Sequence, residues 1–418
     1  LESYVLKSES RWLARLAGMS PWEAARRLAR LPGFVFLDSA MPRPGAVSRI
    51  AACPEEVIEG ASDADWRSLR EALRKRAGTP GMGAGYVEYE GRFRFGLYGG
   101  MLAFHHDTGE WRVDGEPAWE LQELATAGFG PMRLTPELSA ADYQAMVRRA
   151  QGYIAAGDIY QVNLAHRFAG RWSGAAADAL AFYGRLRDCS PAPYAALLRD
   201  GGERFIASSS PELFLEMDGR NVLTRPIKGT RARAADSALD AAAARELGGS
   251  PKERAELVMI TDLERNDLGQ VCEYGSVTVR ELLKLEHFAQ VHHMVSTVSG
   301  RLREGIDHVD ALRACFPGGS ITGAPKKRAR EIIAGLEPAR RGVYTGAIGY
   351  LGYDGRSLFN IAIRTAILEA DGRAHFHAGA GIVADSDPRM EWEETLWKAA
   401  GILRAADGGF SLSADFAD

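Results

Sequence analysis

Short runs of alternating apolar residues, one after another and interrupted by only a few long helical segments, are what most constrain the fold of this chain. From Tyr86 to Val113 the apolar positions Val87, Tyr89, Phe93, Phe95 and Leu97, then Met101 to Phe104, are divided by turns at Glu90-Gly91 and Gly99-Gly100, a β-hairpin pattern. Further strands are expected at 34–37, 159–168, 195–198, 205–207, 213–215, 344–350, 357–368 and 374–383. Helical spacing occurs over 22–31. It recurs after Ser139, a suitable cap, where Tyr143, Met146, Val147, Ala150 and Ile154 form a stripe stopped by Gly157. Strands in runs with helices between them predict an α+β fold of antiparallel sheets covered by helices, not a regular βαβ alternation. A linker-like stretch from Gly128-Phe129-Gly130-Pro131 to Thr135-Pro136 divides an N-terminal region, 1–130, from a second region, 135–410.

Composition narrows the function classes. The chain has 418 residues, 46% of them hydrophobic and 25% charged, with a formal charge of −4. No basic block marks it for nucleic acid, and no stretch is apolar for long enough to span a membrane. The start, Leu1-Glu2-Ser3-Tyr4, lacks the pattern of a secretory leader. Cys53, Cys189, Cys272 and Cys315 lie far apart without a CxxC pair, so they read as thiols of a reducing, cytoplasmic setting.

Several segments bring together groups suited to chemistry. In Pro226-Ile227-Lys228-Gly229-Thr230-Arg231, a lysine lies between an apolar residue and a turn, short of water and of a counter-charge; desolvation favours the neutral, nucleophilic amine. Two helices carry glutamates three residues apart. Ser250-Pro251-Lys252-Glu253 reads as a capping box, which would occupy Glu253 structurally. Glu256 lies one turn on, in line with Met259, Ile260 and Leu263 on the stripe expected to be buried. The helix after Asp387-Pro388 presents Glu391, Glu394 and Lys398 on one face, either solvated or turned inward. Carboxylates converging from two helices would suit magnesium better than zinc, since no Cys or His has zinc spacing.

Gly379-Ala380-Gly381-Ile382-Val383-Ala384 has the letters of a dinucleotide fingerprint without the helix that must follow, and Gly318 to Gly323 has phosphate-loop glycines with Ala324-Pro325 where lysine is needed. Both read instead as loops whose N–H groups take carboxylates. Arg364 offers a fork for a carboxylate, or a local ion pair at a sheet edge. Glu212 and His293 are candidates for proton transfer, although a turn residue and a hydrogen-bonded core histidine fit the same positions.

These segments together resemble the chorismate-utilising enzymes, a family that includes anthranilate synthase component I, isochorismate and salicylate synthases, and aminodeoxychorismate synthase component I. The resemblance runs from about Ser139 to Leu403. It is carried by Gly157-Asp158-Ile159-Tyr160-Gln161-Val162-Asn163-Leu164, Ser209-Ser210-Pro211-Glu212, Asp262 to Gly269, Pro317 to Lys326, Tyr344-Thr345-Gly346, Gly379 to Ser386 and Glu391 to Lys398, in the family's order.

The resemblance implies a layered sandwich of antiparallel sheets and helices. It implies Mg²⁺ held by Glu256 and Glu391, with Glu253 and Glu394 beside them. Chorismate would meet Gln161, Gly229, Thr230, Tyr344, Arg364, Gly379, Ala380, Gly381 and Lys398, with Ser320 and His293 in the same cleft, and Glu212 would be the acid that helps the 4-hydroxyl leave. Position 228 is similar to aminodeoxychorismate synthases, which usually carry lysine there, whereas anthranilate and salicylate synthases usually carry alanine. Gln161 stands where isochorismate and salicylate synthases carry a lysine base. The pattern therefore implies 4-amination, a step toward 4-aminobenzoate and folate, through a covalent Lys228 adduct. Anthranilate synthase component I is the alternative, and a nucleotide-binding protein is a more distant one. No G-x-C-x-G nucleophile elbow is present, so ammonia is expected free or from a separate glutamine amidotransferase subunit. Ser39, Pro193 and Tyr194 loosely resemble the effector pocket of relatives, with Ala195 in place of a methionine; a filled core is the simpler expectation there.

Overall fold

The computed structural model describes residues 11–123, 130–201, 204–234, 236–288 and 291–407. Part of the expected linker, 124–129, and the last residues of the expected second region lie outside the described residues.

Two large antiparallel sheets form the centre. The 11-stranded sheet runs, in spatial order, Gly323–Ala324, Gln161–Arg171, Arg373–Ile382, Thr365–Leu368, Arg204–Ser210, Tyr194–Asp200, Val35–Asp38, Val47–Ala51, Gly100–His105 and Glu110–Gly115; Leu134–Pro136 also pairs with Gln161–Arg171. The 10-stranded sheet runs Ile227–Ala232, Val291–Arg301, Asn221–Arg225, Leu213–Asp218, Arg356–Ile361, Ala347–Gly352, Met82–Val87, Phe93–Tyr98 and Glu56–Gly60, with Thr278–His287 on Val291–Arg301. Strands from before and after residue 130 thus share both sheets.

Alternating side chains make the layers. In the Tyr194–Asp200 strand, Ala196 and Leu198 join an apolar cluster with Met82, Tyr86, Ile348 and Tyr350 of the other sheet, while Leu197 joins a cluster with Leu28, Phe182 and Leu403 of the covering helices. A period of two with both faces apolar gives a strand buried on both sides, which is why these segments read as nearly continuous hydrophobic runs. Helices Pro21–Leu28, Ala176–Cys189 and Pro388–Ala406 cover the first sheet, and Trp66, Leu69, Val309 and Leu312 from Asp63–Lys75 and His308–Cys315 pack on the second. The layered sandwich is the architecture expected.

One expected strand divides. The 357–368 run is two strands in different sheets, and the chain passes between them at Ala362 to Arg364, where Arg364 takes the left-handed φ of 50° that non-glycine residues seldom adopt. Ser210 to Leu213 makes the same passage in the other direction, and the two crossovers are bonded together: Ile361 N–H donates to Glu212 O at 3.1 Å, Ser209 N–H to Arg364 O at 3.0 Å, and Ser210 Oγ to Ile361 O at 2.6 Å. Strand pairing stops at such passages, leaving Glu212 and Arg364 where the chain crosses between the two sheets.

Candidate active site

Lys228 lies near the start of the Ile227–Ala232 strand, an edge of the second sheet whose register shifts between Lys228 and Thr230 against Val291–Arg301. Its Nζ is 3.6 Å from Glu256 Oε2, both side chains being nearly buried. The lysine is therefore not short of a counter-charge, contrary to the sequence expectation. Gly381 explains how Lys228 and Gln161 reach one place: a Cβ there would lie 2.5 Å from Gln161 Nε2 and 3.5 Å from Lys228 Nζ. Gln161 Oε1 is buried without a hydrogen-bond partner.

The helices Pro251–Gly269 and Pro388–Ala406 bring the four glutamates. Ser250 caps the first by accepting Glu253 N–H at 3.4 Å, and Asp387 caps the second through Arg389 and Met390 N–H at 2.8 and 3.1 Å. The Glu253 carboxylate faces Arg231 at 3.9 Å, and burial, then the Glu256 charge, push its pKa up. Glu256, nearly buried, lies beside the fully buried residues of its helix, Leu257, Ile260, Thr261, Glu264, Asp267 and Leu268.

Lysine partners recur among these carboxylates: Lys228 for Glu256, Lys252 for Glu391 at 3.5 Å, and Lys398 for Glu394 at 2.6 Å. The Lys252–Glu391 pair ties one helix start to the other. Glu391 is buried; Oε1 takes the Ser386 hydroxyl at 2.7 Å, whereas Oε2 has no partner. Burial pushes Glu391 up; burial acts likewise on Glu394, but Lys398 and the other lysines outweigh it and hold that group low.

Glu212 is buried at the crossover. Burial pushes its pKa up, opposed by a hydrogen bond from Ser320, by Lys228, by the Ile227 N–H and by Lys398. That balance suits a group that must hold and release a proton. Arg364, among the described residues, has no ion-pair or hydrogen-bond partner for its guanidinium, and burial pulls its pKa below the ordinary value; it is a cation without an anion. His293 is buried against Thr230, with Nδ1 3.0 Å from Thr230 Oγ1. Burial, then Arg364, bring its pKa to about 4, so near neutral pH it is an uncharged hydrogen-bonding ring.

The glycine segments differ from the sequence expectation. Gly379 to Gly381 lie within the Arg373–Ile382 strand, paired with Ala165 to Asn163, not in a loop. Beyond Phe376 the other edge of that strand leaves its neighbour, and Gly379 O accepts Lys398 Nζ at 3.0 Å. In the Gly318 to Thr322 loop, the Gly319 N–H is already taken at 3.0 Å by Glu264 Oε1, an internal carboxylate.

Sequence reasoning missed Arg341 and Glu337. The buried Arg341 guanidinium is bonded to Glu337 and also donates to Asn163 O at 2.8 Å, Ile321 O at 2.9 Å and Thr345 Oγ1 at 3.2 Å. It ties together the segments that carry Gln161, Ser320 and Tyr344. Tyr344 is stacked on His377, centroids 5.2 Å apart. An arginine four residues after a glutamate looks like an ordinary helix-surface pair in sequence; only the fold buries it.

Ser39, Pro193 and Tyr194 line one cavity of about 250 Å³ with Asp38, Arg43 and Asn360. Arg43, Pro193 and Tyr194 also line a neighbouring cavity of about 400 Å³ that reaches Pro211 and Ile227, next in sequence to Glu212 and Lys228.

Among the described residues no helix is long and apolar enough to cross a membrane, and no three His, Cys, Asp or Glu side chains form a preset metal cage. The donors present still fit a hard cation that keeps most of its waters: all are carboxylate oxygens, and Glu391 Oε2 is orphaned.

Residues 85–404 match the model of a chorismate binding enzyme. Over 285 residues the chain is 49% identical to anthranilate synthase component 1 of Streptomyces coelicolor, covering 68% of this chain and 55% of that protein. Over 261 residues it is 47% identical to aminodeoxychorismate synthase component 1 of Bacillus subtilis, covering 62% and 54%. The matches thus span little more than half the length of these relatives. The crystal structure of anthranilate synthase component I from Streptococcus pneumoniae superposes with a TM-score of 0.75 at 30% identity, over 87% of this chain and 93% of that one. The menaquinone-specific isochorismate synthase of Escherichia coli shares the fold, with a TM-score of 0.78 at 20% identity over 92% and 91%.

Proposed function

The chain belongs to the chorismate-binding enzyme family, and from that premise we propose that it is an aminodeoxychorismate synthase component I, adding ammonia at C4 of chorismate. The observation that carries this reading is Lys228: an amine beside Gln161 and Glu256 and within electrostatic reach of the buried acid Glu212.

Lys228 first gives its ammonium proton to solvent, and the neutral Nζ then attacks C2 as the ring double bonds shift and the C4–O bond breaks. Glu212 gives its proton to the departing hydroxyl, which leaves as water. Ammonia then forms the C4–N bond, the double bonds shift back and the C2–Nζ bond breaks, while the proton lost by the incoming ammonia returns to Glu212. Arg364 and Lys398 meet carboxylates of the substrate. His293, uncharged, holds the Thr230 hydroxyl in place. Mg²⁺, held by Glu256 and Glu391 with Glu253 and Glu394 beside them, would supply positive charge for the ring carboxylate.

Burial pushes the Cys53, Cys272 and Cys315 thiols up, away from the thiolate that a glutaminase nucleophile needs. In this reading ammonia arrives from a separate glutamine amidotransferase subunit, and the chain acts in the cytoplasm. The second reading, anthranilate synthase component I, draws on the relatives and the solved structure that carry that name. Identifying the product formed from chorismate, Mg²⁺ and ammonium by mass spectrometry and NMR separates the two. The amine at C4 with pyruvate retained supports the first reading; the amine at C2 with pyruvate released supports the second.

A further inference from the structure

Arg341 spends every donor it has on the protein. A guanidinium carries five N–H groups in a planar fork. Nε and Nη2 hold the Glu337 carboxylate at 2.9 and 2.6 Å, and Nη2 also reaches Asn163 O at 2.8 Å. Nη1 reaches Ile321 O at 2.9 Å and Thr345 Oγ1 at 3.2 Å. Both side chains of the ion pair are almost fully buried. These five bonds use all five N–H groups, so the guanidinium has none to offer a substrate.

The segments it holds are walls of the candidate cleft. Asn163 lies on the Gln161–Arg171 strand, two residues from Gln161, and the same strand gives Ala165 N–H to Glu337 Oε1 at 2.8 Å. Ile321 follows Ser320. Thr345 follows Tyr344 and takes a left-handed φ of 58°; its hydroxyl accepts Arg341 and donates to Tyr344 O at 2.6 Å. Thr345 N–H donates to Ala362 O at 2.8 Å, and Ala362 N–H to Gly346 O at 2.9 Å, which ties this corner to the crossover that carries Arg364. The Tyr344 ring itself has its centroid 5.7 Å from Arg341 Cζ and is stacked on His377.

We propose that the Arg341–Glu337 pair is a positioning unit for chorismate: it holds Gln161, Ser320, Tyr344 and Arg364 at fixed separations without itself touching the substrate. The proposal rests on the reading that these four residues line the chorismate site. Stability alone is a poor reason for the pair, since a buried ion pair can often be replaced by uncharged residues of similar size without loss. Lysine would keep a charge opposite Glu337 but lacks the fork that spans three segments at once.

The test compares the parent with Arg341→Lys, with the double variant Arg341→Met/Glu337→Gln, and with Arg364→Gln. The double variant removes both charges together and keeps an acceptor for Ala165 N–H. Chorismate consumption with Mg²⁺ and ammonium gives KM and kcat whichever carbon is aminated; calorimetry without chorismate gives Mg²⁺ affinity, and thermal melting reports folding. In both Arg341 variants KM for chorismate should rise about 10-fold or more, the scale of one lost hydrogen bond from a charged donor, and kcat should fall less than KM rises. Mg²⁺ affinity, set by other helices, should stay parental. A folded Arg341 variant with parental KM overturns the proposal, and so does a rise in KM matched by an equal loss of Mg²⁺ affinity, the mark of a general loosening. If neither Arg341 variant folds, the pair belongs to the fold and the proposal fails. Parental KM in Arg364→Gln overturns the placement of chorismate in this cleft. A raised KM in Arg364→Gln beside parental Arg341 variants overturns only the positioning role.

Discussion

The glutamates on the two site helices and the glutamates around the sheet crossover serve one cleft, yet the fold treats them in opposite ways. Glu256, Glu391 and Glu394 each keep an ammonium partner, and they are joined by a Lys252 bridge between helices. Glu212 and Glu264 lie deep; Glu264 accepts the Gly319 N–H at 3.0 Å, and burial pushes the pKa of both groups up. A lysine partner favours the ionised carboxylate, as at Glu394, whereas burial favours the protonated acid, as at Glu212, and Glu391 feels both with burial ahead. In the proposed reaction the same residue type would supply a cation-binding half and a proton-transfer half, divided by environment.

The largest effect should come from the proton-transfer half. Glu212→Gln should lower kcat by ~10²–10⁴, the usual contribution of general acid catalysis, with chorismate binding retained. Single-turnover kinetics would show this, and a loss confined to KM would place Glu212 among binding groups instead.

In the cation-binding half, Glu391→Gln or Glu256→Gln should weaken Mg²⁺ binding by ~10–100-fold or more, since even loss of a ligand's supporting hydrogen bond costs that much. Calorimetric titration with Mg²⁺ reads this directly. Unchanged affinity in both variants would remove the metal assignment and erase the contrast between the halves.

A smaller effect should appear in stability. The folded-state pKa of Glu212 is raised above the ordinary 4.5, so its contribution is fully present below that value and is lost as pH rises through the folded pKa. Glu212→Gln, which cannot ionise, should therefore melt higher than the parent at alkaline pH and show little difference in acid. The opposite pH trend in thermal melts would mean that Glu212 is held as a carboxylate. Glu391→Gln gives the comparison, because there the Lys252 partner is lost as well.

Much of the site was legible because its residues lie on regular elements or in compact motifs. Ser139, Ser250 and Asp387 announce their helices, and Gly157 at φ 80° ends one where expected. Charge pairing was not legible. Lys228 and Glu256, or Lys252 and Glu391, meet only after distant segments pack, and a carboxylate seen alone on a helix looks unpartnered. The glycine runs misled for a related reason: a glycine that makes room for Gln161 and Lys228 carries the same letter as one that makes room for a ligand. The division of 357–368 between two sheets, which leaves Arg364 without a partner among the described residues, has no turn residue to announce it.

The contrast between the halves has meaning only if the amine between them reacts. Intact-protein mass spectrometry after quenching the chain with chorismate and Mg²⁺, with ammonia withheld, measures that directly. The expected result is a covalent adduct of chorismate less water, mapped to Lys228 and absent from Lys228→Ala, which should also lose 4-amino product when ammonium is supplied. Full 4-amination by Lys228→Ala, with no adduct on the parent chain, would contradict the account.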